Sequence, residues 1–169
     1  MLGPAVLLAG CGSTSSPVQK AVALPKKPAP GQFLHVSAAQ HAVDVTLIAA
    51  DGGSNNGFNF DGYGRGELLV RVPRGWRVTV HCKNNGPLRN SCVVVSGLEA
   101  AAPAFPGATT PNPVMGLGSG ASASFSFTPT HTGVYRLASL VAGHEQARMW
   151  DLLEVTSGGR PSISARPGP

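Results

Sequence analysis

The sequence predicts an all-β domain, a Greek-key antiparallel β-sandwich or barrel, and three observations favour this fold class. Aromatic and β-branched residues form short runs separated by Gly, Pro, Asn and Asp, a pattern typical of strands joined by turns. Glycine and proline are abundant, with 22 and 15 among 169 residues, whereas only 12% of the residues are charged. No stretch has the apolar period of about 3.6 residues that marks an amphipathic helix. The length suits one domain with a well-filled core.

The strand candidates follow one another along the chain. The run 43–48 alternates and then becomes apolar, and the run 76–82 alternates throughout, with Trp76, Val78 and Val80 on one face. The segment 97–120, rich in Ala, Pro and Gly, is expected to be an ordered excursion across one end. Antiparallel Greek-key pairing is the usual arrangement of short strands at this spacing. The predicted strands are 43–48, 67–72, 76–82, 91–96, 122–127, 134–138 and 149–155.

The first eleven residues resemble a bacterial lipoprotein signal. The apolar run 1–11 ends in Leu8-Ala-Gly-Cys11, and in that class the chain is cut before the cysteine, which is then lipidated. The run is too short to span a bilayer, which takes about 20 apolar residues. It lacks a positively charged start, so an apolar N-terminus with a free Cys11 is the alternative. We expect an exported, cell-envelope protein that is anchored to the membrane through lipid.

Composition divides the rest of the chain. Residues 12–34 are rich in Ser and Pro and are expected to form a flexible tether, because they contain too little apolar surface to fold. Residues 35–156 are predicted to form the folded domain. Residues 157–169 resemble the tether in composition and are predicted to be a disordered tail.

Two cysteines remain when Cys11 is assigned to the lipid. Cys82 and Cys92 are an even pair in an oxidising compartment, so a disulfide is possible. The alternative is a pair of buried thiols that act as small apolar side chains. Geometry decides between the two, since a disulfide requires Cα atoms within about 7 Å.

Several separate motifs, in one order along residues 40–156, carry a family resemblance. On these residues the chain resembles sulfocyanin, a blue-copper family of the cupredoxin fold. The resemblance implies copper as the family's cofactor and one-electron transfer by a type 1 copper site at one end of the sandwich. The motifs are Phe58-Asn-Phe-Asp-Gly-Tyr-Gly-Arg-Gly-Glu-Leu, Val72-Pro-Arg-Gly-Trp76, Asn84-Asn85-Gly-Pro, the segment 104–113, Gly143-His144 and Met149-Trp150.

The same resemblance places four copper ligands, and two of them are changed. His144 and Met149 match the family, but Asn90 stands where it has His and Ser139 stands where it has Cys. A serine hydroxyl is neutral and a poor donor to copper, and an amide oxygen is a hard, weak ligand compared with imidazole. A blue site with thiolate-to-copper absorption is therefore not expected, and the chain should bind copper weakly or not at all.

Other interpretations of these residues stay open. Residual copper handling would use His144 and Met149, and Met115 could complete a site suited to Cu(I). Cys92 could also supply a substitute sulfur. Against this, His144 is interpretable as a hydrogen-bonded loop residue and Met149 as a packing residue. Arg89 and Arg148 flank the changed positions; they would favour an anionic partner, or else be solvated loop charges.

Several function classes are disfavoured. The net charge of +5 is scattered without a basic run, so we expect no nucleic-acid partner. We expect no enzyme, because Ser139 and His144 lack a G-x-S-x-G turn and an acidic third member. Arg148 also breaks the H-E-x-x-H pattern after Glu145. The sequence favours a non-redox binding or structural module of the envelope, with an envelope protein as a possible partner.

Overall fold

In the part of the chain that the structure describes, two β-sheets enclose one main core. The computed structural model describes Gly3 and residues 26–168, so the predictions for Cys11 and for residues 12–25 lie outside the described residues. Three short 3₁₀ helices occur among these described residues, at Pro30–Phe33, Ala38–Gln40 and Ser54–Gly57. The strands are β1 (Leu34–Ser37), β2 (Ala42–Ala49), β3 (Leu68–Pro73), β4 (Arg77–Asn84), β5 (Val93–Val95), β6 (Ser122–Phe127), β7 (Gly133–Ala138), β8 (Trp150–Thr156) and β9 (Ser162–Ala165).

The sheets confirm the all-β prediction and correct the pairing. One sheet has the order β1-β2-β4-β6 and the other the order β5-β7-β8-β3-β9. The pairs β2–β4 and β3–β8 are parallel, although we predicted antiparallel pairing throughout. The reason is that β3 lies in the opposite sheet. After β2 the chain crosses to that sheet, forms β3 and returns as β4, which runs in the same direction as β2. Among the described residues, no helix has the length and apolar character needed to cross a membrane.

The core comes from strands whose side chains alternate between the two faces. Val43, Val45 and Leu47 of β2 point inward and are buried, while the residues between them are half-exposed. Burying each such side chain contributes about 1.5–3 kcal/mol. Cys82 of β4 and Cys92, just before β5, are also buried here and form a disulfide with Cα atoms 6.0 Å apart. The two cysteines thus connect the two sheets covalently.

The predicted disordered tail contains a strand. Strand β9 pairs antiparallel with β3, with Leu68 opposite Ala165 and Val70 opposite Ile163. Ile163 packs against the main core, and this contact explains why a short, Ser-rich segment is ordered. The prediction of disorder for 157–169 is therefore wrong for β9.

The end of the predicted tether also belongs to the domain. Phe33 is buried against Tyr63 and Leu68, and β1 already begins at Leu34. Lys27 forms an ion pair with Glu67, and the Tyr63 hydroxyl donates to the carbonyl of Pro28. The predicted boundary at residue 35 is therefore too late, because apolar Phe33 anchors the preceding residues to the sheet.

The segment 97–120 is ordered and lies along β5. The Ala104 N–H donates to the carbonyl of Val94, and the Val94 N–H donates to the carbonyl of Ala108, 2.8 and 2.9 Å apart. The Phe105 ring is buried and stacks on Phe127 at 5.5 Å. This segment covers the edge of β5 and holds the adjoining loop 85–92 through a bridge between Asn90 and Leu117.

Candidate functional site

The candidate site lies where three loops meet at one end of the sandwich. The loop 85–92 joins β4 to β5, and the loop 139–149 joins β7 to β8. The loop 50–67 packs against the second of these: Asn55 Nδ2 donates to the carbonyl of Ala147, and the Arg65 N–H donates to the carbonyl of Arg148. The four residues that the resemblance assigns to the copper site therefore come from two loops held at the same end.

Ser139 and His144 are in direct contact. The Oγ of Ser139 lies 3.0 Å from Nδ1 of His144, and both side chains are buried. The loop is folded back to permit this: the His144 N–H donates to the carbonyl of Val141, and the Met149 N–H donates to the carbonyl of His144. Two residues five positions apart are thus brought within hydrogen-bonding distance by the loop backbone.

A chain of hydrogen bonds ends at His144. The Leu140 N–H donates to Ser91 Oγ at 2.9 Å, and the Ser91 N–H donates to Ser139 Oγ at 3.1 Å. The two hydroxyl oxygens are 3.4 Å apart. The hydrogen bond between Ser139 Oγ and His144 Nδ1 completes the chain, and its direction is set by which ring nitrogen of His144 carries the proton. Burial lowers the pKa of His144, in agreement with a neutral ring.

Asn90 cross-links its own loop. Its side chain is buried, and Nδ2 donates to Oδ1 of Asn84 at 2.8 Å and to the carbonyl of Leu88 at 3.0 Å. Asn84 Nδ2 in turn donates to the carbonyls of Leu88 and Leu117. The amide at position 90 therefore stabilises the loop through both of its neighbours.

Asn90 and His144 line one small cavity of about 90 Å³. Phe58 and Leu88 also line it, and the edge of the Phe58 ring faces His144 with centroids 5.2 Å apart. Sites for small organic ligands are usually about 300–1,000 Å³. The cavity is therefore too small for such a ligand.

The remaining sulfur residues are placed apart from this cavity. Met149 is fully buried in the main core, whereas the Met115 side chain is 62% exposed. Cys92 cannot supply a substitute thiolate, because its sulfur is bonded to Cys82. Arg89 is exposed and donates to the carbonyls of Met115 and Gly116. Of the open interpretations, the substitute sulfur of Cys92 is wrong and Met115 does not join the cavity.

The donor set does not fit a blue-copper site. Ser139 stands at the position that the resemblance assigns to the thiolate, and the His144 nitrogen that faces it is already engaged in a hydrogen bond. The side-chain nitrogen of Asn90 donates within its own loop, and its oxygen is a weak ligand for copper compared with imidazole. Within the described part of the chain, no group of three or more His, Cys, Asp or Glu side chains is arranged to hold a metal ion.

Two buried carboxyl groups that were not predicted from the sequence lie beside this end of the sandwich. Asp61 Oδ1 accepts the Ile48 N–H, and Asp151 Oδ1 accepts the Leu68 N–H, while the second oxygen of each has no partner among the described residues. Burial raises the pKa of Asp61 to about 8. Burial, together with the charge of Asp61, raises the pKa of Asp151 well above its ordinary value. A signal existed for Asp151, which shares the inward face of β8 with Leu153.

Comparison with known proteins gives one family. A family model described as "Sulfocyanin (SoxE) domain" matches residues 30–160. Sulfocyanin from Sulfolobus acidocaldarius is 30% identical over 130 residues, which cover 69% of this chain and 65% of that protein. The chain thus spans just under two thirds of that relative's length.

Solved structures share the fold. A structure of rusticyanin variants superposes with a TM-score of 0.52 at 16% identity, covering 73% of this chain and 86% of that one. Blue copper oxidase from Nitrosomonas europaea gives a TM-score of 0.52 at 21% identity, covering 66% of this chain and 38% of that one. At these identities the likeness concerns the fold alone, and the predicted cupredoxin type of sandwich is confirmed.

Proposed function

Because this chain belongs to the sulfocyanin family, we propose that it is a cupredoxin-fold domain in which a hydrogen-bonded cluster replaces the blue-copper site. In this proposal it acts as a non-redox binding module of the cell envelope, anchored through lipid at Cys11. The observation that carries the proposal is the hydrogen bond between Ser139 Oγ and His144 Nδ1, 3.0 Å long. It occupies the two atoms that would otherwise face a metal.

The chemistry of the cluster supports the loss of copper. Losing a residue that merely orients a ligand costs about 10–100-fold in metal affinity. Here the thiolate, which is the only anion of the family's ligand set, and one imidazole are both absent. Ser91, Ser139 and His144 satisfy one another through hydrogen bonds. The loops therefore need no metal to complete their polar contacts.

Residual copper binding through His144 and Met149 is the second candidate. It is favoured by their spacing and by the loop 139–149, which carries both to the same end. A metal at Nδ1 of His144 would have to displace the Ser139 hydroxyl and reach the thioether of a fully buried methionine. We therefore rank this candidate second.

Copper titration of the purified domain separates the two candidates. We expect the parent chain to show no intense visible absorption at micromolar copper. We also expect no copper uptake that depends on His144, so the parent and His144→Ala should take up equal amounts. Uptake that His144→Ala abolishes would overturn the proposal in favour of residual binding. The double variant Ser139→Cys/Asn90→His tests the assignment of the positions and should turn blue with copper. A folded but colourless double variant would count against that assignment.

The lipid anchor is tested separately in a bacterial host that processes lipoproteins. The parent chain should fractionate with membranes, whereas Cys11→Ala should lose the lipid and leave the membrane fraction. Equal fractionation of the two chains would contradict the anchor. It would leave the assignment of the His144 cluster untouched.

A further inference from the structure

A groove runs over the outer face of the five-stranded sheet. Its central feature is a stacked pair: the guanidinium carbon of Arg136 on β7 lies 4.1 Å from the ring centroid of Trp150 on β8. Two clefts of about 230 and 450 Å³ share this pair as a wall. Arg166 lines the first cleft, and Glu145 and Arg148 line the second. We call these five residues the Arg136 groove.

Two buried polar atoms of the groove have no hydrogen-bond partner among the described residues. They are Nη1 of Arg136 and Oε1 of Glu145. The two side chains do not pair with each other within 4 Å in the described part of the chain. A buried polar group left without a partner destabilises the fold, and more strongly when it is charged. The two side chains are only partly buried, so a ligand that offers both an acceptor and a donor would meet their remaining polar atoms in the cleft.

The charge of the groove is positive. Arg136, Arg148 and Arg166 line the two clefts together with Glu145, and Glu99 lies close to Glu145. Three guanidinium groups therefore outnumber the carboxyl group that lines the clefts, so the groove favours an anion. The Trp150 ring adds apolar surface between the arginines.

We propose that the Arg136 groove binds an extended acidic peptide segment of a partner protein. A peptide carbonyl accepts from the Arg136 guanidinium, and a peptide N–H donates to the Glu145 carboxyl group. Acidic side chains of the segment pair with Arg148 and Arg166, one on each side of the stacked pair. A nucleic-acid backbone fits less well, because phosphate has no donor for Glu145. This inference goes beyond the proposed function and does not depend on whether His144 binds copper.

The test is a fluorescence titration that uses Trp150 as the reporter. The chain has two tryptophans, so a Trp76→Phe background leaves the groove as the only tryptophan site. The probe is hexaglutamate with blocked ends. We expect it to change the Trp150 emission and bind more weakly as salt is raised. Arg136→Gln should weaken binding roughly tenfold to a hundredfold, since it removes a charged donor. Capped hexalysine should not bind.

A matched control separates the groove from net charge. Arg77→Gln removes the same charge from an exposed position on β4, in the other sheet, and should leave binding unchanged. Glu145→Gln keeps an acceptor oxygen and should bind equally or more tightly. If Arg136→Gln fails to fold, the double variant Arg148→Gln/Arg166→Gln, at two exposed positions, supplies the same test.

Three results would overturn the proposal. The first is equal hexaglutamate binding by the parent and by a folded groove variant. The second is an equal loss in Arg77→Gln, which would indicate a net-charge effect. The third is tighter binding of an oligothymidylate of matched length than of the capped hexaglutamate, which would point to a nucleic acid. A failure here leaves the copper result unaffected, because the titration is carried out without copper.

Discussion

Ser139 Oγ and His144 Nδ1 share a hydrogen bond 3.0 Å long within the loop 139–149, at the end of the sandwich. The same oxygen accepts the Ser91 N–H from the facing loop. One hydroxyl therefore holds three segments together: its own strand end, the loop 139–149 and the start of the segment leading to β5.

Replacing that hydroxyl should destabilise the fold measurably. Ser139→Ala leaves the buried Ser91 N–H and His144 Nδ1 without their partner, and we expect a loss of about 1–3 kcal/mol in the free energy of unfolding. Urea denaturation measures it. Ser126→Ala, which removes an exposed hydroxyl bonded to Thr79, is the control and should change stability by less than about 0.5 kcal/mol. Equal stability of both variants would contradict the role of Ser139.

Stability should fall as pH rises. The folded state raises the pKa of Asp61 to about 8 and that of Asp151 well above its ordinary value. The folded chain therefore holds protons that the unfolded chain has released, and each pH increment above the ordinary carboxyl pKa favours unfolding. This contribution to stability is fully present in acid and is lost as pH rises through about 8. Thermal unfolding between mildly acidic and mildly alkaline buffers measures the effect.

Asp61→Asn is the matched variant for this pH dependence. It keeps an oxygen for the Ile48 N–H and cannot ionise, so the decline in melting temperature with pH should be shallower than in the parent. A parent chain with no decline towards alkaline pH would refute the assignment.

Reduction of the Cys82–Cys92 disulfide should also cost stability. The bond closes a loop with a sequence separation of 10, for which the chain-entropy account gives about 2–3 kcal/mol. Denaturation with and without reductant measures the difference. The Cys82→Ala/Cys92→Ala variant should be less stable and indifferent to reductant. A parent chain that is equally insensitive would show that the bond does not form.

Strand β9 should contribute to stability although it was predicted to be disordered. A chain that ends after Arg160 loses the pairing with β3 and the contact of Ile163 with the core. We expect a loss of about 1–3 kcal/mol, chiefly from the exposed apolar surface of β3 and Ile163. A chain that ends after Arg166 keeps β9 and should match the parent in urea denaturation. Equal stability of the two truncated chains would contradict this role.

How much of the fold could be predicted from the sequence depends on how local each structural feature is. Strands such as β2 and β4 were predictable, because alternation of Val and Leu with polar residues is visible within six to eight positions. Strands β1 and β9 were not, since their residues become ordered only through one neighbouring strand. The parallel pairs depend on which sheet β3 joins, and no short window encodes that choice.

The candidate site was likewise predictable only in part. Positions 90, 139, 144 and 149 were found from motifs, and the structure places them on two loops at one end. The contact between Ser139 and His144 could not be predicted, because it depends on how the backbone of the loop folds back. The orphaned atoms of Arg136 and Glu145 are likewise a property of packing between β7 and that loop.

The disulfide has a consequence for how such a domain can change over evolution. Cys82 lies near the end of β4 and Cys92 is the last residue of the loop 85–92, so a covalent bond ties together the ends of the segment that carries Asn90. A loop whose ends are joined loses less order when residue 90 changes, although the hydrogen bonds of Asn90 also stabilise it. A substitution at position 90 therefore costs the fold less than it would in an unbridged loop, and this position is freer to vary as the family diverges.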